Sequence, residues 1–251
     1  MGWKCSAQET VLVIAGLVVM AGCGDSQRPQ YPLHEACARG DTGKIKSLIA
    51  QGADLNARGA DGMAPLHHAI YSGDQGSIML LLEAGADVEV CNPDGLAPLH
   101  LIGWYLPDEV ASAIAQELLA RGASVDKRTK DGLQPLHDAA ASGKITLVRL
   151  LLDRGADVNG GRSDGDTPLQ IAVVKGHIPV VRLLVRRGAD VNASGKLGYT
   201  ILHYAANIGR LEICRILVAN GANVNARTVS YTHLRAHETS LHLVCRLLLE
   251  K

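Results

Sequence analysis

One pattern recurs six times along the chain, and this repetition limits the possible folds more than any other feature. The leucine of a Leu-His dipeptide stands at Leu33, Leu66, Leu99, Leu136 and Leu202, and Leu169 holds the same place before Gln170. The intervals are 33, 33, 37, 33 and 33 residues. A second marker, Gly-Ala-x-Val or Gly-Ala-x-Leu, begins at Gly52, Gly85, Gly122, Gly155, Gly188 and Gly221. It follows its leucine by 19 residues in every copy but the third, where the distance is 23. Four extra residues therefore lie between Leu99 and Gly122. Two markers that keep phase over six copies describe stacked units rather than one closed core.

Each unit reads as two short helices. Pro65 suits a first helical turn, where its missing N–H leaves no bond unmade. Leu66, Ala69 and Ile70 then form an apolar stripe at helical spacing. Gly73 breaks the chain, Ile78 to Leu82 gives a second helix, and Gly85 falls where a left-handed residue ends it. Asp94-Gly95, Asp131-Gly132 and Asp164-Gly165 mark tight turns between units. One such pair cannot bury its apolar faces alone, whereas a stack can, so the expected fold is an all-α solenoid. Lys44 and Lys46 make the second helix of repeat one polar, as a terminal cap requires.

These units resemble the ankyrin repeat. The pieces that carry the likeness are Asp166-Thr167-Pro168-Leu169, Ala64-Pro65-Leu66-His67-His68-Ala69 and Gly188-Ala189-Asp190-Val191-Asn192. They extend over residues 31–228 as six helix-turn-helix units joined by short β-turn fingers. The family's Thr–His hydrogen bond is open only to Thr200 and His203, because Thr167 is followed by Gln170 and the other copies lack the threonine. The resemblance also implies a partner surface on the fingers and first helices, the concave face of the solenoid.

Composition narrows the function classes. Lys+Arg and Asp+Glu are 25 each, so overall charge gives no reason to expect a nucleic-acid partner. Phe is absent and aromatics are 3%, which suits thin layers of Leu, Ile, Val and Ala. His34, His67, His100, His137 and His203 share one repeat position, which makes them structural rather than catalytic. No nucleophile–base pair, phosphate loop or Cys-x-x-Cys pair occurs, so we expect no enzyme, no cofactor and no metal site. Cys37 and Cys214 fall on core-like positions at opposite ends of the stack, and Cys91 on a finger.

Both ends lie outside the repeats. Val11 to Ala21 is an apolar run, too short for a bilayer span of ~20 residues but suited to a signal peptide. It leads into Met20-Ala21-Gly22-Cys23, which resembles the lipobox of bacterial lipoproteins. On this reading residues 1–22 are removed, Cys23 carries the lipid, and 23–30 are a short tether. Gly24 after the cysteine fits an outer-membrane destination facing the periplasm. An ordinary secretory signal, or myristoylation of Gly2, are the alternatives. At the other end, Val229 to Thr239 (VSYTHLRAHET) resembles the translation of a transposase-type sequencing adapter, and the following residues match its continuation. Leu241-His242 is also out of phase with the repeats. We therefore read 229–251 as foreign to the natural protein, which would have continued differently after Thr228.

The repeat leaves certain positions free, and these are the candidate contacts. Three residues before each leucine stand Met63, Leu96, Leu133 and Tyr199; five or six after it stand Tyr71, Trp104, Tyr105, Val174 and Ile208. Trp104 is the sole tryptophan between Cys23 and Thr228. Exposed apolar side chains rich in Trp and Tyr mark protein interfaces. The expected function is a monomeric, lipid-anchored module that binds another protein in the bacterial envelope, as a regulatory or immunity-type inhibitor. The competing reading is the binding part of an enzyme or toxin whose catalytic domain followed residue 228. The insertion in repeat three is expected to push the end of its first helix outward and display Trp104 and Tyr105.

Overall fold

The structure is a computed structural model and describes residues 31–195 and 199–226. The signal-like segment, Cys23 and its tether, and the tail 229–251 lie outside the described residues. Among the described residues are twelve helices in six pairs: α1 (Pro32–Arg39) with α2 (Thr42–Ala50), α3 (Pro65–Ser72) with α4 (Gln75–Glu83), α5 (Pro98–Tyr105) with α6 (Asp108–Ala120), α7 (Pro135–Ser142) with α8 (Ile145–Asp153), α9 (Pro168–Lys175) with α10 (Ile178–Arg186), and α11 (Ile201–Asn207) with α12 (Leu211–Ala219). Odd-numbered helices pack on one another in order, even-numbered helices do the same, and each odd helix packs on its even partner. The result is a two-layer solenoid, with fingers projecting between successive units.

The repeat leucines form the spine of the core. Leu33, Leu66, Leu99, Leu136, Leu169 and Leu202 are all buried. Proline starts α1, α3, α5, α7 and α9, and Ile201 takes its place in α11. In the even layer, α2 buries Ile45 and turns Lys44 and Lys46 to solvent, as a first cap should. At the other end Leu211 is exposed. Its counterparts Ile145 and Ile178 are partly buried against the core, each with a further repeat stacked beyond it.

Glycine is required between the two helices of a unit for two separate reasons. Gly143 and Gly176 have φ of 73° and 81°, the left-handed region that disfavours L side chains. A Cβ on Gly143 would also fall 2.6 Å from Nδ1 of His177, and one on Gly176 would fall 2.5 Å from Cζ of Arg210. His177 and Arg210, which open α10 and α12, thus lie against the preceding unit's glycine.

Repeat three departs from this plan, and not in the expected way. Helix α5 has eight residues, as do α1, α3, α7 and α9, so the insertion does not push its end outward. The extra four residues lengthen α6 to 13, against nine in α4 and α8. Leu106-Pro107 replaces the left-handed glycine; Leu106 is buried, and Pro107 leads directly into the new turn. This turn compensates a defect next door. In repeats one and two, Asp41 and Asp74 cap their own even helices, accepting from Lys44 N and Ser77 N. Helix α8 opens on Lys144, which offers no side-chain cap. Asp108, at the start of α6, supplies it from the neighbouring unit: its carboxylate accepts from Thr146 N at 2.9 Å and Leu147 N at 3.1 Å.

A second inter-unit device runs along the bases of the fingers. The side chains of Asn56, Glu89, Asp126, Asn159 and Asn192 each accept a hydrogen bond from a backbone N–H of the next unit, at Asp87, Ser124, Asp157, Asp190 and Asn223. The distances run from 2.7 to 3.1 Å. Asp54, Asp87, Asp157 and Asp190 hold the rung residue two positions on by accepting its backbone N–H. These are the carboxylates that recur in the sequence, and their role is to build this ladder.

Loss of a helix cap costs about 1 kcal/mol. Asp108→Ala should therefore lower the urea midpoint of the full chain by that equivalent, although Asp108 caps a helix 38 residues away. Glu109→Ala, beside it and exposed, should change the midpoint by no more than a few tenths of a kcal/mol.

Candidate partner-binding surface

The odd helices and fingers share one face. It is built in part on histidines that tie odd helices to fingers. In α3, α5, α7 and α11, Nδ1 of His67, His100, His137 and His203 accepts the backbone N–H of the residue before the helix, at 3.1–3.2 Å. This leaves the proton on Nε2. From there His100 donates to Leu133 O and His137 to Asp166 O, each at 3.3 Å and each in the next finger. In repeat one, His34 reaches Ala57 O and Met63 O. Thr200 and His203 make the expected side-chain bond at 2.7 Å, and Thr167 accepts the backbone N–H of Gln170 instead.

On this scaffold the candidate residues separate into two groups. Trp104, Tyr105, Val174 and Ile208 are exposed, and with Leu211 they are the large apolar residues most open to solvent among the described residues. Each of these four ends or follows an odd helix. Met63, Tyr71, Leu96, Leu133 and Tyr199 are half-buried. Leu96 and Tyr71 also pack against the core, so they support the face more than they project from it. Tyr71 and Tyr105, from adjacent units, meet edge to face with centroids 4.5 Å apart, and Asn92 donates to the Tyr71 hydroxyl. Tyr199 lies against both His203 and Tyr204.

Trp104 holds one feature that sequence reasoning missed. Its ring is 49% exposed, yet its indole N–H donates at 2.8 Å to Oδ1 of Asp138, which is buried in α7 of the next unit. The other oxygen, Oδ2, is buried with no hydrogen-bond partner. Burial pushes this carboxyl up to about 7, although the Trp104 bond and the charge of Arg162 pull the other way. The sequence did carry a signal. Leu136-His137-Asp138 sets a carboxylate where the flanking units have Leu101 and Ile171.

Among the described residues there is no group of three or more potential metal ligands, and no helix is long and apolar enough to cross a membrane. Burial raises the Cys37 thiol to about 12, which leaves it unreactive.

The sequence model for ankyrin repeats, in three copies, matches residues 7–102, 108–195 and 161–228. The chain belongs to the ankyrin-repeat family. The gap between the first two matches falls at Leu106-Pro107, where the long helix α6 begins. The search of curated proteins gives no match. Among solved structures, the ankyrin repeat domain of Bcl-3, described as a unique member of the IkappaB protein family, is 29% identical with a TM-score of 0.69. That likeness covers 80% of this chain and 91% of the Bcl-3 domain. An ankyrin repeat domain from Acinetobacter baumannii AYE is 31% identical with a TM-score of 0.68, over 77% of this chain and 99% of that one. Ankyrin repeats are the framework of protein–protein interaction modules.

The buried titrating groups give the fold a pH dependence. Burial lowers His67, His68, His100, His137 and His203 from the ordinary 6.5, His137 to about 4. Below about pH 6.5 the unfolded chain takes up protons that the folded chain refuses, so these histidines favour folding above that pH and lose the contribution as pH falls. Asp138 acts oppositely. Folded, it keeps its proton up to about 7, whereas the ordinary value is 3.8, so its contribution falls as pH rises through that window. The five histidines outnumber the two carboxyls that burial raises, Asp138 and Asp166, and the urea midpoint should rise between about pH 5 and 6.5. His137→Gln, the exchange that repeat five already makes at Gln170, should flatten this rise; Asp138→Asn should steepen it.

Proposed function

We propose that this chain is a lipid-anchored protein-binding module of the bacterial envelope, which blocks or regulates its partner by covering it. The observation that carries the binding role is the row of Trp104, Tyr105, Val174 and Ile208, exposed on one face of otherwise well-buried repeats. A soluble surface that holds Trp and Tyr open to water gains binding free energy when a partner desolvates them. The anchoring role rests on Met20-Ala21-Gly22-Cys23 after an apolar run of signal length. The seven residues Gly24 to Gln30 would then keep the repeats close to the bilayer, and the partner would be met in the periplasm or at the outer membrane. The segment 229–251 takes no part in this function, on the adapter reading of its sequence.

A photoreactive amino acid placed at Tyr105 in the native host should give a discrete crosslinked adduct. The same residue at Arg149, exposed on the even layer, should not. An adduct from Arg149 alone would move the interface to the other layer. With the partner purified, Trp104→Ala should weaken binding by about 2 kcal/mol and Lys175→Ala by well under 1 kcal/mol.

The anchor has its own test. Cys23→Ala should leave the chain uncleaved and without lipid, because both processing and acylation act at the cysteine. A cleaved variant that still fractionates with membranes would rule out the lipoprotein reading.

A further inference from the structure

The mid-surface of the odd-helix face carries little charge. From α3 to α11 these helices contain no Lys, Arg, Asp or Glu except Asp138 in α7 and Lys175 in α9. Asp138 is 6% exposed, between Leu101 of the preceding unit and Ile171 of the following one at the equivalent helix position. One of its oxygens is taken by the Trp104 indole, and the other has no donor. Arg162 is near enough for its charge to act on Asp138 but forms no ion pair with it, and its guanidinium is directed to Asp164 at 3.6 Å. A buried acceptor without a donor costs free energy in the isolated protein. Here it lies beside the most exposed ring of the same surface.

We infer that Trp104 and Asp138 form a subsite for one cationic side chain, an arginine above all, that a partner protein presents within an apolar segment. This rests on the reading of the odd-helix face as the partner surface and specifies the chemistry of what binds there. A guanidinium suits the place in two ways. Its flat face can stack on the exposed indole, and its charge then lies close to the Asp138 carboxylate that holds the indole N–H beneath. The surroundings favour an ion pair, because Leu101, Ile171 and the aromatic rings exclude water and so strengthen the attraction. The cation would supply what the free protein lacks, a counter-charge that keeps the Asp138 carboxylate ionised.

The test requires no knowledge of the natural partner. A display library of random twelve-residue peptides is selected on the full chain, and the binders are measured by fluorescence polarisation. Binders that weaken at least tenfold on Trp104→Ala should share one Arg or Lys. Replacing that residue by citrulline or norleucine should weaken binding to the wild type at least tenfold, but less than twofold to Asp138→Asn. This variant keeps an oxygen for the Trp104 bond and should melt cooperatively like the wild type. Trp104-dependent binders with no shared cation, or equal losses against both proteins, overturn the inference and leave the face as a partner surface. Binders indifferent to Trp104→Ala, Tyr105→Ala and Val174→Ala overturn the reading of the face itself. A library that yields no binder counts against both.

Discussion

No unit of this protein can be stable alone. A pair of helices of seven to thirteen residues has too little apolar surface to offset the entropy of ordering it. Everything else follows from the need for a neighbour. The repeat leucines form a continuous spine, polar Lys44 and Lys46 are confined to the first even helix, and Leu211 is left open where no described unit follows. Stability is therefore a sum of interfaces, and the parts that matter most are those that cross from one unit to the next.

Three crossings recur. Histidines tie an odd helix to the next finger, Asn and carboxylate side chains reach forward to the next backbone, and residues such as His177 and Arg210 lie against the preceding glycine. All three fix the spacing of units without using the outward side chains at the ends of the odd helices. Those ends are consequently free to vary, which is how a rigid scaffold can present Trp104, Tyr105, Val174 and Ile208 at equivalent places in different units. On the same scaffold Asp138 is buried with one oxygen unmatched.

Much of this was legible in the sequence. Phase, helix starts and the left-handed glycines could be read because leucine, proline and glycine answer to local backbone rules that hold in every copy. The structural role of the histidines followed from their shared position. The insertion was misplaced for a physical reason: Leu99 and Gly122 bracket both helices of repeat three, and spacing alone does not say which one lengthens. Asp108 as a cap for α8, and the bond from Trp104 to Asp138, could not be read because both depend on contacts 34 to 39 residues apart, although the carboxylate at an apolar repeat position did mark Asp138 as unusual. Pairings across units have no periodic signature when they occur once.

The extra turn of α6 shows where such a chain tolerates growth. Four residues advance a helix by about 400°, so the apolar stripe returns within about 40° of its original bearing. The lengthened helix keeps its seat in the even layer, and the ladder and the histidine ties on the opposite side keep their pitch. A two-residue insertion would swing that stripe to the far side of the helix. Natural length variation in such a protein should then be quantised, arriving in whole turns on the even layer and leaving the finger side at constant gauge. The one insertion present obeys that rule and, by bringing Asp108 to α8, has become part of the joint between two units.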